Sequence, residues 1–244
     1  MNKLEILNSY NALILQTYQQ EEIKCLRGEK EDDYILNGKE ILTWHSNTCS
    51  KITDENFNAF ENIDNLLMCS DEIMFFTANL FLIKDFLNKP VLVKIGAKET
   101  FSFEQGLADK RFNMYCSIIF EKLYMFWSQI AQILKSYYIP DLENYKINFS
   151  IVMDKIRDKS NSANMAWLIS FKENGYKTFN SKRKDIVHNK SFDTMLKYEL
   201  IKSLDSPHII DELIQYRDGL PDYFKNEIVN SLIGFEKTLN LINE

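Results

Sequence analysis

The amino-acid sequence predicts an all-α protein. Its 244 residues include only 7 glycines and 4 prolines, so few turn-forming residues are present. Hydrophobic residues make up 45% and charged residues 26% of the chain, which is the balance of a protein that can bury a core. Few turns and several long stretches of helical periodicity favour helices with short connections over a many-stranded sandwich. No repeat, linker or low-complexity tract interrupts the chain, and we expect one domain over residues 1–244.

The N-terminal part begins with a helix of about 20 residues that is expected to end before Gly28. Residues 34–36 and 40–44 favour two short strands around Asn37 and Gly38. The apolar residues of the first helix recur at helical spacing: Leu4, Leu7, Leu13, Ile14 and Tyr18.

Two helices and a hairpin are expected next. One helix starts at Thr53 and continues through Leu67, and a second covers the apolar stretch 73–87 before Pro90. Residues 91–103 resemble a small β-hairpin insertion.

The clearest helix covers residues 108–138 and ends before Pro140. Its wide aromatic stripe is typical of a core or a dimer interface rather than of a cofactor site. Gly175 is expected to follow the C-terminus of a later helix. Further helices are expected at 148–158, 163–174, 192–204 and 207–218, and from Pro221 onward.

The charge is distributed unevenly along the chain. The formal net charge of −6 excludes a polycation that coats nucleic acid. Residues 172–202, however, contain eight basic and four acidic residues, so this segment carries +4 and the remainder −10. Both a solvated lysine face and a phosphate-attracting patch are compatible with this pattern.

The cysteines and the N-terminus indicate a reduced, soluble protein. Cys25, Cys49, Cys69 and Cys116 form no Cys-x2-Cys pair, so no zinc site is expected and the thiols are expected to be free and mostly buried. The N-terminus is not expected to be a signal peptide, and no 18-residue apolar run is expected in the sequence. A cytoplasmic location without membrane contact follows as an expectation.

One segment of the sequence suggests a catalytic site. It consists of Arg183, the four residues that follow it, and His188. An arginine supplies a permanent cation for a phosphate, and a histidine supplies a base that titrates near neutral pH. Metal-independent RNA cleavage requires these two groups.

This segment resembles the Arg-x4-6-His signature of the HEPN superfamily (higher eukaryote and prokaryote nucleotide-binding domains). The resemblance covers residues 108–204 and implies a HEPN-like helical bundle with additional N- and C-terminal helices. It also implies a homodimeric, metal-independent endoribonuclease of bacterial defence or of a toxin–antitoxin system. No cofactor is implied, and the implied partners are single-stranded RNA or a nucleotide and a cognate antitoxin protein.

The resemblance also implies roles for individual side chains. His188 would be the general acid or base, and Arg183 would hold the scissile phosphate in a composite site at the dimer interface. Asp185 would orient one of them. The side chains implied to guide the RNA backbone are Lys182, Lys184 and Lys190.

Helical geometry adds an argument that is independent of the family. If residues 176–188 are helical, Arg183 interrupts an otherwise apolar stripe. His188 then lies about 140° around the helix and about 7.5 Å along it from Arg183, so convergence needs a two-fold axis. The apolar members of this stripe are Tyr176, Phe179, Ile186 and Val187.

The sequence leaves other functions open. Lys184 stands where active family members usually have Asn, Asp or His, and Lys190 stands where one toxin subgroup has Tyr. A non-catalytic nucleotide-binding or protein-interaction module and a purely structural Arg183–His188 cluster are the alternatives.

Other candidate residues favour structural roles. His45 is expected to pack and His208 to lie on the surface. Core packing is expected for the aromatic residues Trp127, Tyr137 and Tyr138, although such side chains can stack on bases.

Overall fold

The computed structural model describes residues 2–26, 34–96, 98–143, 147–186 and 207–244. Helices dominate these residues, and the strands form only two small hairpins. The all-α prediction is therefore confirmed.

Helix α1 covers Lys3–Gln20 and confirms the predicted first helix. A capping box starts it: the Asn2 side chain accepts from the Glu5 backbone N–H at 2.9 Å, and the Glu5 carboxylate accepts from the Asn2 backbone N–H at 2.8 Å. These two bonds satisfy backbone donors that the first helical turn leaves unpaired.

A tight hairpin and helix α2 follow. Strands β1 (Ile35–Leu36) and β2 (Lys39–Glu40) pair antiparallel around Asn37 and Gly38, whose φ angles are +49° and +78°. Both turn residues have positive φ, as a type I′ hairpin turn requires.

The predicted strand 40–44 is wrong beyond Glu40, because helix α2 occupies Ile41–Cys49. The Glu40 carboxylate accepts from the backbone N–H groups of Leu42 and Thr43 at 3.0 and 2.6 Å. Glu40 therefore caps a helix where the β-rich composition of 40–44 indicated a strand.

Helix α3 covers Ala59–Ile83 without a break, and a short 3₁₀ turn, Lys84–Phe86, follows it. The prediction of two helices beginning at Thr53 is therefore wrong. The Asn58 side chain accepts from the Glu61 N–H at 3.2 Å at the start of α3, while the Asp54 carboxylate accepts from Lys135 and Ser136. A tertiary partner thus engages the residue that was expected in the first turn of a helix.

Residues 59–86 are long and apolar enough to cross a membrane by length and composition, which corrects the expectation that no such run exists. Within this helical stretch, 61% of the apolar window is buried inside the protein. A core helix of a soluble protein has this pattern.

The predicted hairpin at 91–103 is confirmed. Strand β3 (Val91–Ile95) pairs antiparallel with β4 (Lys98–Ser102), from Val91 opposite Ser102 to Ile95 opposite Lys98. The hairpin connects the end of α3 to the start of the longest helix.

Helix α4 covers Leu107–Tyr138, close to the predicted bounds. Most of its apolar stripe is fully buried within the single chain, including Phe112, Leu123 and Trp127, whereas Tyr115 and Tyr137 are half-buried. The stripe is therefore core, and Trp127 is not available to stack on a base.

The remaining elements follow the predicted order, and the predicted helix 192–204 lies outside the described residues. These elements are α5 (Phe149–Ile156), α6 (Ala163–Phe171), a π-helical segment (Lys172–Tyr176), α7 (Lys177–Lys184), α8 (Pro207–Asp218) and α9 (Leu220–Asn243).

The chain divides into two compact units. Unit 1 contains residues 1–23, 75–119 and 182–226, and unit 2 contains residues 24–74, 120–181 and 227–244. Compact units need not fold independently, so the single domain stays a prediction.

Candidate functional site

The helix that carries Arg183 is built from α6, the π-helical segment and α7. Gly175 lies inside the π segment, so the expectation that it follows a helix C-terminus is wrong. A Cβ atom on Gly175 would lie 2.6 Å from the Phe171 ring, which only glycine avoids. π segments of this kind occur frequently at functional sites.

The predicted stripe on this helix is confirmed for the described residues. Tyr176, Phe179 and Ile186 are 1%, 0% and 7% exposed, and Arg183 between them is 8% exposed. Val187 lies outside the described residues. A guanidinium group therefore occupies a buried position in an apolar stripe, where a cation is costly unless polar groups compensate it.

Aromatic packing in unit 2 fixes the first half of the stripe. The Phe179 ring stacks on Phe120 of α4 at a centroid distance of 5.9 Å, and Tyr176 lies 4.9 Å from Phe149 of α5. Such aromatic pairs contribute beyond the area that they bury. The first half of the stripe is therefore packed into the core of unit 2.

The helical geometry changes just after Arg183. Asp185 and Ile186 are in π conformation. In a π-helix the backbone hydrogen bond joins residues five apart, so such residues lie about one turn apart rather than 140° apart. His188 lies outside the described residues, so its divergence from Arg183 stays a prediction.

Lys182, the residue before Arg183, lies against two tyrosines of unit 1. Its ammonium nitrogen is 4.2 Å from the centre of the Tyr223 ring in α9 and 4.9 Å from the centre of the Tyr216 ring in α8. Both distances are within the range of a cation–π interaction. The two ring faces therefore both contact the Lys182 ammonium.

Tyr216 is partly exposed and has polar neighbours. The residue is 36% exposed. Burial of the hydroxyl raises the pKa of Tyr216, and nearby Cys116 and Asp185 raise it further. The phenol is therefore neutral at physiological pH and does not repel an anion.

The end of α8 is held by a buried ion pair. Arg217, next to Tyr216, donates to the Asn88 carbonyl at 2.9 Å and lies 3.5 Å from the Asp109 carboxylate. Asp109 also accepts from the backbone N–H groups of Asn88 and Gly106 at 3.1 and 2.8 Å. These bonds fix the helix that presents Tyr216.

The other predicted site residues are placed in part. Lys184 and Asp185 are exposed, whereas His188 and Lys190 lie outside the described residues. Lys172, which belongs to the basic segment, forms an ion pair with Asp154. The structure thus brings Lys182 to Tyr216 and Tyr223, and the pairing of Arg183 with His188 stays a prediction.

Tyr216 and Tyr223 were missed from the sequence. They lie 34 and 41 positions after Lys182, on the two sides of the break between α8 and α9. Neither motif nor periodicity points from them to Lys182, so no local signal could have identified them.

A second cluster has the residue types of a catalytic site but not the environment of one. The Nε2 of His45 donates to the Asn62 side-chain oxygen at 3.1 Å and lies 3.4 Å from the Cys49 sulfur. Burial raises the pKa of Cys49 to about 12 and lowers the pKa of His45. The thiol stays protonated and closed to solvent, so this Cys–His–Asn cluster is structural.

The predictions for the other histidine and for the thiols are confirmed. His208 is exposed, and His45 is packed at 1% exposure. All four cysteines are free, three of them buried and Cys25 half-buried. Among the residues whose positions are described, no group of three or more His, Cys, Asp or Glu side chains could hold a metal ion.

Comparison of the chain with protein-family models, with curated proteins and with solved structures finds no match. The function therefore has to be argued from Arg183 and its surroundings.

Proposed function

We propose that this protein is a metal-independent endoribonuclease of HEPN type that acts in the bacterial cytoplasm in defence or in toxin-like growth arrest. Arg183 holds the scissile phosphate, and His188 exchanges a proton with the RNA 2′-hydroxyl or with the leaving 5′-oxygen. The products carry a 2′,3′-cyclic phosphate and a 5′-hydroxyl. A cognate antitoxin protein would be its natural inhibitor.

The burial of Arg183 in the apolar stripe carries this proposal. A guanidinium held by packed neighbours is preorganised, and a charge in a site of low dielectric constant interacts strongly with a phosphate. Lys182 and the exposed Lys184 lie on either side and add positive charge for the RNA backbone.

The same burial favours a second candidate function, a non-catalytic RNA- or nucleotide-binding or protein-interaction module. At 8% exposure, Arg183 presents little surface to a substrate in the single chain. In such a module the Arg183 guanidinium would hold the surface in shape, and nothing would be turned over.

Incubation of the purified full-length protein with total RNA in excess EDTA separates these functions. We expect cleavage by the wild type, and a loss of about 10²–10⁴-fold in His188→Ala, the usual contribution of a general acid or base. Arg183→Lys keeps the positive charge but loses the planar donor fork of arginine. We therefore expect this variant to remain folded and to cleave RNA more slowly than the wild type.

Matched controls address folding and charge. Lys3→Ala removes one positive charge from the exposed face of α1 and should cleave as the wild type does. Intact binding of RNA without cleavage, over several RNAs and salt concentrations, would establish the binding module instead of the enzyme.

A further inference from the structure

We infer that Tyr216 and Lys182 form a nucleotide subsite for single-stranded RNA, in which Tyr216 stacks on an unpaired base and Lys182 contacts the adjacent phosphate. This inference rests on the proposed function because it assigns part of the RNA path beside Arg183. The inference differs from the proposed function in what is measured, because it concerns the binding of RNA and not its cleavage.

The arrangement of the ring and the ammonium supports this subsite. The Lys182 ammonium lies 4.9 Å from the Tyr216 ring centre, so an aromatic face and a cation are adjacent. One nucleotide has a flat base and an anionic phosphate. Single-strand binding proteins combine stacking side chains with basic side chains in the same way.

The positions of both groups are fixed in advance. The Tyr223 ring, 4.2 Å from the same ammonium, holds Lys182 from a second helix. Tyr216 is carried by the helix end that the buried Arg217–Asp109 pair secures. Binding therefore loses little side-chain freedom, and such preorganisation increases affinity.

The accessible surface of Tyr216 favours an unpaired base as its ligand. Tyr216 exposes 36% of its surface, whereas Trp127 and Phe179 are fully buried. Burial, Cys116 and the Asp185 carboxylate raise the pKa of Tyr216 and keep its hydroxyl uncharged, so the phosphate contact is assigned to Lys182 alone. A base in a duplex is already stacked, so an unpaired base is the better match.

The first experiment measures binding of a short, end-labelled single-stranded RNA by fluorescence anisotropy. His188→Ala serves as the parent protein so that the RNA stays intact. We expect Tyr216→Leu to weaken binding at least about fivefold, because stacking on one base contributes about 1–3 kcal/mol. Tyr216→Phe keeps the ring and should bind within about twofold of the parent.

Lys182 is tested through the salt dependence of binding. Removing one phosphate contact lowers the slope of log affinity against log salt by about 0.7 for a single strand. We expect this change in Lys182→Ala and no change in Lys3→Ala, which removes the same charge from α1.

A spectroscopic readout separates stacking from a structural role of the ring. An RNA with 2-aminopurine should lose fluorescence on binding when the base stacks. The quenching should persist in Tyr216→Phe and disappear in Tyr216→Leu, whose thermal unfolding is measured in parallel. An abasic strand should bind the parent and Tyr216→Leu equally well.

The subsite is refuted if folded Tyr216→Leu binds and quenches as the parent does, or if no single-stranded RNA binds. A wild type that cleaves RNA together with an unaffected Tyr216→Leu would refute the subsite alone. RNA binding with the expected Tyr216 dependence but without cleavage in the wild type would refute the enzyme alone.

Discussion

The Lys135 ammonium lies 2.8 Å from the Asp54 carboxylate, and both side chains are only 4% exposed. The two residues are 81 positions apart and join the segment before α3 to helix α4 within unit 2. Ser136 donates a second hydrogen bond to the same carboxylate at 2.9 Å.

Removing one member of this pair should destabilise the protein strongly. Asp54→Asn leaves the Lys135 charge buried without its counterion, and we expect a loss of about 3–5 kcal/mol in the free energy of unfolding at pH 7, measured with urea. The double variant Asp54→Leu with Lys135→Met should be more stable than Asp54→Asn.

The matched control is Lys122→Met, which breaks the more exposed pair with Glu72. We expect the free energy of unfolding to change by less than about 1 kcal/mol in Lys122→Met. Equal losses in Asp54→Asn and Lys122→Met would contradict the conclusion that burial makes the Asp54–Lys135 pair important for stability.

Acidification should destabilise the protein through His45. Burial lowers the pKa of His45, so the unfolded chain, in which histidine titrates near about 6.5, binds more protons than the folded chain. The contribution of His45 is thus fully present above the unfolded pKa and is lost as the pH falls through the lowered folded pKa.

The free energy of unfolding at pH 7.5 and pH 5.5 measures this effect. The difference should be smaller in His45→Gln than in the wild type. His208 is exposed and provides the comparison. The difference between the two pH values should be the same in His208→Gln as in the wild type. An unchanged difference in His45→Gln would exclude His45 as the origin.

Gly175→Ala should disturb the π-helical segment. The new Cβ would meet the Phe171 ring at 2.6 Å, and that ring stacks on Trp127 at 4.4 Å and on Trp167 at 5.3 Å, so it has little room to move. We expect a loss of about 1–3 kcal/mol in the free energy of unfolding, the usual cost of overpacking.

A rescue experiment identifies the clash as the cause. Phe171→Leu removes the ring, so Gly175→Ala should cost less stability in this background than in the wild type. If it costs as much there, the steric explanation fails.

Mixing two inactive variants tests whether the proposed site is shared between subunits. Arg183→Lys and His188→Ala should each lose activity. After unfolding and refolding together, about half of the dimers should be heterodimers, and each can form one of two Arg–His pairs. Recovery of about a quarter of the wild-type RNA cleavage is expected.

No recovery from dimers shown to be mixed would place both residues of the site in one chain.

Elements defined by local signals were predictable. Helix α4 follows a sustained apolar repeat, α1 begins with a capping residue, and strand signals on both sides of Gly96 predicted the β3–β4 hairpin. The burial of Arg183 also followed from the repeat alone, because its position in the helical period is an apolar one.

The predictions were wrong where a tertiary contact, and not the local sequence, determines the backbone conformation. Asp54 resembles the start of a helix, but Lys135 holds it in a loop. Gly175 resembles a helix end, yet the helix continues through it in π form against the Phe171 ring. In both cases a tertiary contact overrides the local preference.

The sequence by itself determined the helical class, the longest helix, the hairpin and the apolar face on which Arg183 lies, because hydrophobic periodicity is a local property of the chain. Only the tertiary structure decided that Lys182 lies between Tyr216 and Tyr223 and that Lys135 neutralises Asp54. These contacts join residues 34 to 81 positions apart, and packing brings them together without any pattern that a local reading could detect.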